Sequence, residues 1–345
     1  MTAVRGQCPV QQSLWYFMDR YLAYLVEKVL DLGFYATRGM TTPNPFRPPD
    51  EAHPWWYASR PEDFYAVDDA PPELHFDRFR NVFRGEQSHF TFISPYKSPH
   101  AENNTVHGLV DLRPQGQARA ALIFLHGHTM TNFATLRWFS RIAIRQEFDL
   151  YYLALPYHMQ RAPRGTWSGQ HSLNSDVKGT ALAFMQGVRD VRALINWIVK
   201  ERGTPVALAG VSLGAYTACM TAVVDPRLKA VVSILGGASL ARIPWGGYQS
   251  EQIRRQLKAG GVSLDDLERY WMLLSPGRWQ PAISTNNVLL IGGKFDKIVS
   301  PRNVEALWQA WGQPQLCWYP CGHVTIALYY REVAQVIARF LEERV

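Results

Sequence analysis

Long uninterrupted apolar stretches are missing from this 345-residue chain. The N-terminal run "LWYFMDRYLAYLVEKVLDLGF" is broken by Asp19, Arg20, Glu27, Lys28 and Asp31. A membrane-crossing helix needs roughly 18 or more apolar residues in succession, so no transmembrane segment is expected, and no signal peptide is read at the N-terminus. Blocks of like charge are missing too. No Lys/Arg block of five or more occurs, and a formal charge of +7 is mild for this length. That excludes a nucleic-acid footprint and leaves only weak attraction to anionic surfaces or substrates. Cysteine is scarce: Cys8, Cys219, Cys317 and Cys321 form no C-x-x-C pair and no spaced Cys/His set. A reduced, cytoplasmic protein is the expectation. Internal repeats are absent, and "GGKFDK" lacks the spacing of a phosphate loop. No cofactor is expected. The sequence leaves homo-oligomerisation open.

What is present is a large core in the making: 47% hydrophobic against 19% charged residues, which excludes a disordered chain. Residues 1–87 read as an N-terminal extension. Leu14, Met18, Tyr21, Leu25 and Leu32 share one helical face within 11–35, and a Pro-rich segment over 41–72 carries Trp55, Trp56 and Tyr57. The aromatic trio suggests that the segment lies against the body of the protein.

From residue 88 onward the pattern is that of an α/β domain, 88–345. "SHFTFISPYKS" and "NTVHGLVDLRP" read as two strands around a turn. "ARAALIFLHG", "DLYYLALPYH", "PVALAGV", "LKAVVSILGG", "NNVLLIGGKFD" and "PQLCWYPCGH" are short apolar runs suited to strands buried on both faces. Helical patterns separate them over 132–147, along the stripe Phe184, Val188, Val191, Ile195, Ile198, and over 213–224, 301–311 and 324–343. Alternation of this kind predicts a mostly parallel sheet with helices on both faces. Functional residues then gather at the carboxyl ends of the strands. Residues 238–284 interrupt the rhythm and read as a cap insertion.

Those strand ends carry His126-Gly127-His128, Ser212, Asp296 and His323. In "GVSLG", Ser212 stands at the join of a strand and a helix with glycine two positions away on each side. A sharp strand-to-helix turn projects the serine hydroxyl from the sheet and demands small neighbours, which is the geometry of a nucleophile. A plainer reading is a strand end whose glycines only make the turn. A serine hydroxyl needs a base at neutral pH, and the base needs an acid to fix its tautomer. His323, the one histidine beyond Asp296, suits the first task and Asp296 the second. Each also has a plainer reading, as a helix-start histidine and a loop or N-cap carboxylate. The oxyanion formed on attack would be met by the backbone N–H of Leu213 and by that of His128. His-x-His could instead suggest a metal, but no further ligand completes a set, and none is expected.

Two segments leave the sheet on this side: 156–177 and the 238–284 insertion. Both mix aromatics with arginines, and both exceed ordinary connections. They predict a covered pocket, part apolar and part basic. Trp167, Trp245 and Trp271 are its candidate substrate contacts, beside Tyr248, Tyr270, Arg161, Arg164 and Arg242. The plainer reading is that these residues pack the insertions onto the core.

Taken together, "GVSLG", "HGH", Asp296 and His323, in that arrangement, resemble the nucleophile elbow, oxyanion loop, acid and loop histidine of the α/β-hydrolase superfamily. The long extension before the core is also similar to bacterial relatives of abhydrolase domain-containing 18. The resemblance covers roughly three quarters of the chain and implies a serine hydrolase cleaving a small-molecule carboxylic ester through an acyl-enzyme. Acyl transfer or peptide cleavage on the same fold, or a non-catalytic binding protein, are the alternatives it leaves. Serine at position 212 speaks against the dehalogenases and epoxide hydrolases, which resemble this fold but carry Asp there.

Overall fold

The computed structural model describes Leu25 and residues 59–82, 85–114, 116–134, 136, 147–246 and 250–345. Apart from Leu25, the expected helix over 11–35 lies outside the described residues, as do Trp55, Trp56 and Tyr57 and most of the expected helix over 132–147.

One mixed sheet organises the described chain. Its strands are β1 (His75–Phe76), β2 (Arg80–Val82), β3 (Gly85–Ile93), β4 (Thr105–Leu112), β5 (Ala120–Leu125), β6 (Phe148–Leu153), β7 (Val206–Val211), β8 (Leu228–Ile234), β9 (Val288–Gly293) and β10 (Gln315–Tyr319). The order across the sheet is β1-β3-β4-β6-β5-β7-β8-β9-β10, with β2 paired to β3. From β6 to β10 the pairs are parallel, and β1 to β4 add an antiparallel flank that joins at β4–β6. The expected boundary at residue 88 falls inside β3, so the sheet takes in part of the N-terminal extension.

The apolar runs explain the parallel part. Every residue of β5, β6 and β9 is buried. Along β5, Ile123 and Leu125 enter the core on one face, while Leu122 and Phe124 enter the other. Burying a side chain of this size stabilises by about 1.5–3 kcal/mol. Helix α1 (Val177–Trp197) follows from its stripe: Phe184, Val188, Val191 and Ile195 are all buried, and Asp176 caps its start by accepting the Gly179 N–H at 2.8 Å. Helices α2 (Leu213–Val224), α5 (Pro301–Ala310) and α6 (Tyr330–Glu342) complete the layers. Between β8 and β9 the insertion carries α3 (Glu251–Ala259) and α4 (Leu264–Tyr270), the latter started by a Ser263/Asp266 capping box.

Residues 61–68 lie against α1. Phe64 and Tyr65 are buried, Arg189 donates to the Phe64 carbonyl, and Arg192 donates to that of Tyr65. The Tyr65 hydroxyl reaches the Leu273 carbonyl at 2.7 Å, linking this stretch to the insertion. No helix among the described residues is long and apolar enough to cross a membrane.

Candidate active site

Ser212 lies between β7 and α2 with φ 54° and ψ −116°. Such a backbone costs a non-glycine residue about 1–3 kcal/mol and persists only where the surroundings hold it. Here the Ser212 N–H donates to the Ile234 carbonyl at 2.8 Å, and its carbonyl accepts the Ala215 N–H at 2.8 Å. The two flanking glycines are required by close approach. A Cβ at Gly210 would sit 2.1 Å from the Gly214 carbonyl oxygen, and one at Gly214 would sit 2.5 Å from that of Leu125. Although Ser212 occupies the N-cap position of α2, its side chain makes no capping bond. The hydroxyl instead lies 2.9 Å from His323 Nε2.

His323 follows β10 and is brought 111 residues back to Ser212 by the sheet order. Its Nδ1 is 2.7 Å from Asp296 Oδ2. With a carboxylate at Nδ1, that nitrogen carries the proton and Nε2 is left to accept from Ser212. Asp296 is itself fixed: Oδ1 accepts the N–H groups of Ile298 at 2.8 Å and Val299 at 2.9 Å. Its side chain is nearly inaccessible to solvent, whereas that of His323 is partly open. Ser212, His323 and Asp296 thus form one hydrogen-bonded line across three strand ends.

The loop after β5 passes beside Ser212. A Cβ on Gly127 would lie 3.5 Å from Ser212 Cβ. His126, fully buried, grips this loop: Nε2 accepts the Leu155 N–H at 2.9 Å, so Nδ1 bears the proton and donates to the Gly127 carbonyl at 2.7 Å. In a trans peptide the carbonyl and the next N–H point opposite ways. Holding the Gly127 carbonyl against the His126 ring therefore turns the His128 N–H away from that ring. Burial pushes the His126 imidazole down to about 4, which keeps it neutral near pH 7. At the other side of Ser212, Leu213 opens α2, where helix N–H groups lack partners within the helix.

The expected substrate contacts part company. Trp167 is half-buried and meets the His128 ring edge-on, at 5.7 Å between centroids. Trp245 is half-buried against the core. Trp271 has no exposed surface, and its indole N–H donates to the Val177 carbonyl at 3.0 Å. It packs the insertion onto α1, and the reading of Trp271 as a substrate contact is corrected by that burial. Of the expected basic lining, Arg161 is corrected by its burial, while Arg164 and Arg242 are exposed. Arg161 is fully buried, 2.8 Å from Asp190 of α1, with its other contacts on the Ala154 and Asn103 carbonyls. Arg242 pairs with Glu268. Tyr248 lies outside the described residues.

Sequence reading did not single out His158, Ser168 or Asn303. His158 and Ser168 bind the loop after β5. Asn303 ties α5 to the root of the insertion by accepting the Ser239 N–H at 3.0 Å and donating to the Tyr216 hydroxyl at 2.9 Å. No local pattern marks these residues, since each acts on a segment distant in the chain. Among the described residues, no group of three or more His, Cys, Asp or Glu is arranged to hold a metal ion.

Residues 82–253 match the family described as alpha/beta hydrolase domain containing 18. The chain is 32% identical to the uncharacterized protein YdjC of Bacillus subtilis over 114 residues, which is 33% of this chain and 98% of that protein. It is 27% identical to the uncharacterized protein Rv2627c of Mycobacterium tuberculosis over 310 residues, 83% of this chain and 71% of that one. Among solved structures, an acetyl xylan esterase from Paenibacillus sp. R4 superposes with a TM-score of 0.63 at 13% identity, covering 88% of this chain and 97% of its own. Other esterases and a peptidase share the fold.

Proposed function

The chain belongs to the alpha/beta hydrolase domain containing 18 family, and from that membership we propose that it is a serine hydrolase that cleaves a small-molecule carboxylic ester through an acyl-enzyme. The observation that carries this reading is the His323 ring, spanning Ser212 Oγ at 2.9 Å and Asp296 Oδ2 at 2.7 Å. His323 Nε2 takes the hydroxyl proton as Ser212 Oγ attacks the ester carbonyl. Asp296, whose other oxygen is held by two backbone N–H groups, stabilises the imidazolium and keeps its orientation. The negative charge on the former carbonyl oxygen is met by the N–H groups of Leu213 and His128. Collapse of the tetrahedral intermediate releases the alcohol, which leaves with the proton from His323. Water, deprotonated by the same ring, then cleaves the acyl–Ser212 bond and restores the enzyme.

Trp167, beside the proposed oxyanion donor, and Trp245 are the substrate contacts of this reading. The buried Arg161–Asp190 pair gives no support to an anionic substrate group. The test is turnover of p-nitrophenyl acetate by the purified protein and by Ser212→Ala. The Ala variant should lose about 10⁴- to 10⁶-fold in rate while remaining folded. Near-full activity of that variant would overturn the assignment. Product analysis with and without an added alcohol or amine separates hydrolysis from acyl transfer.

A further inference from the structure

A group of titratable side chains outside the triad has no step in the reaction above. The ring of His158 meets those of His126 and His128 edge-on, with centroids 4.8 Å and 5.5 Å away. His158 is fully buried and comes from a different loop, the one that follows β6. Its Nδ1–H donates to the Pro156 carbonyl at 2.9 Å, which leaves Nε2 as an acceptor. Nε2 receives the backbone N–H of Thr129 at 3.3 Å.

Thr129 needs holding. Its φ of 69° puts a β-branched residue in the left-handed region, at a cost of about 1–3 kcal/mol. Its neighbours are held from the same direction. His128 Nε2–H donates to the Gly169 carbonyl at 2.9 Å. Ser168 Oγ donates to the Met130 carbonyl and accepts the Met159 N–H. Three successive residues, His128, Thr129 and Met130, are therefore each bonded to a residue between 158 and 169. The contact is tight: a Cβ on Gly169, whose φ is 94°, would lie 2.6 Å from His158 Nε2.

We propose that segment 158–169 is a clasp that sets the direction of the His128 N–H, and that His158 is its central positioning residue. This rests on the serine-hydrolase reading and adds to it a source for the preorganisation of the oxyanion donor. His158 can act only as a neutral ring, because a protonated imidazole has no lone pair for the Thr129 N–H. Burial keeps it neutral, and the positive charge of Arg161, with any charge that His126 and His128 take up as the pH falls, acts in the same direction.

An oxyanion donor acts on charge that exists only in the transition state, so its misdirection lowers kcat and spares KM. His158→Leu, which keeps volume and removes the acceptor, should lower kcat on p-nitrophenyl acetate by about 10- to 100-fold, with KM within about twofold. His158→Gln places an acceptor near the position of Nε2 and should recover kcat to within about fivefold of the parent. Ser168→Ala, which cuts the Met130 tie and leaves the Met159 N–H without its acceptor, should cost about five- to tenfold. A second readout needs no activity. Amide exchange over residues 126–131 should be about tenfold faster or more in His158→Leu than in the parent, and near the parent rate in His158→Gln. Should the Leu variant fail to fold, Ser168→Ala and the exchange rates of the Gln variant decide. Equal kcat in parent and Leu variant, equal losses in Leu and Gln variants, or unchanged exchange over 126–131 would overturn the clasp. Turnover that survives Ser212→Ala would instead overturn the serine-hydrolase reading, and the exchange result would still judge the clasp.

Discussion

The rim at the carboxyl ends of the strands and the 238–284 insertion are built from different forces. At the rim, polar side chains bond to backbone groups, both of distant segments, as His126 to Leu155 and His158 to Thr129, and of their own loops, as His126 to Gly127 and Asp296 to Ile298 and Val299. In the insertion, Leu257, Leu267, Trp271, Leu273 and Leu274 are buried in the core, and Asn303 ties its root. Hydrogen bonds are directional and apolar burial is not. The rim therefore holds atoms to a direction, as the proposed acyl chemistry requires, while the insertion holds a body in place. Damage to the two should read out differently, as lost rate at the rim and lost stability in the insertion.

The largest expected effect is at the rim. Asp296→Asn keeps the shape but cannot serve as the same acceptor for His323 Nδ1–H, and it should cost about 10⁴-fold in rate with little change in melting temperature. A variant within a few-fold of the parent would point to another acid and break the comparison.

In the insertion the balance should reverse. Trp271→Ala opens a cavity in the core and strands the Val177 carbonyl, so it should destabilise by about 3–5 kcal/mol in a denaturant titration. The folded fraction should retain its kcat on a short ester. Loss of rate without loss of stability would mean that Trp271 serves the site and not the packing.

Acid should also separate rim from insertion. The folded-state value of about 4 for His126 lies below that of an unfolded imidazole. The unfolded chain thus binds more protons between roughly pH 6.5 and 4, and stability falls as pH falls through that window. The buried ring alone accounts for about 3 kcal/mol of that fall. His158, lowered by burial as well, adds to it with the same sign. Unfolding midpoints measured from pH 7.5 to 4.5 should show this decline, and His126→Asn should flatten it. A parent protein equally stable at both ends would contradict the neutral-ring account of the rim. Smallest of all should be Trp245→Ala, a half-buried position: a shift in preference across p-nitrophenyl esters of increasing acyl length, with kcat on the shortest within a few-fold.

The two regions were also unequally legible in the sequence. Strands buried on both faces declare themselves as apolar runs, and the close approach that strips side chains from positions 210 and 214 leaves a visible pair of glycines. The order Ser, Asp, His at three strand ends was enough to nominate three side chains that the structure puts in one line. Strand β2 was not legible, because its three residues are all exposed and carry no alternation. Trp271 was misread because an aromatic on an insertion helix gives the same signal whether it faces a cleft or the core. Arg161 was misread because its partner, Asp190, belongs to a helix that only the folded sheet brings near. His158 was passed over for the same reason: its role depends on two loops meeting.

The measurement that tests the central claim most directly is the intact mass of the folded protein after reaction with a fluorophosphonate, followed by peptide mapping. The account predicts a single adduct, carried by Ser212 and absent from Ser212→Ala and from heat-denatured protein. A folded protein that stays unlabelled, or an adduct that maps to another residue, would contradict it.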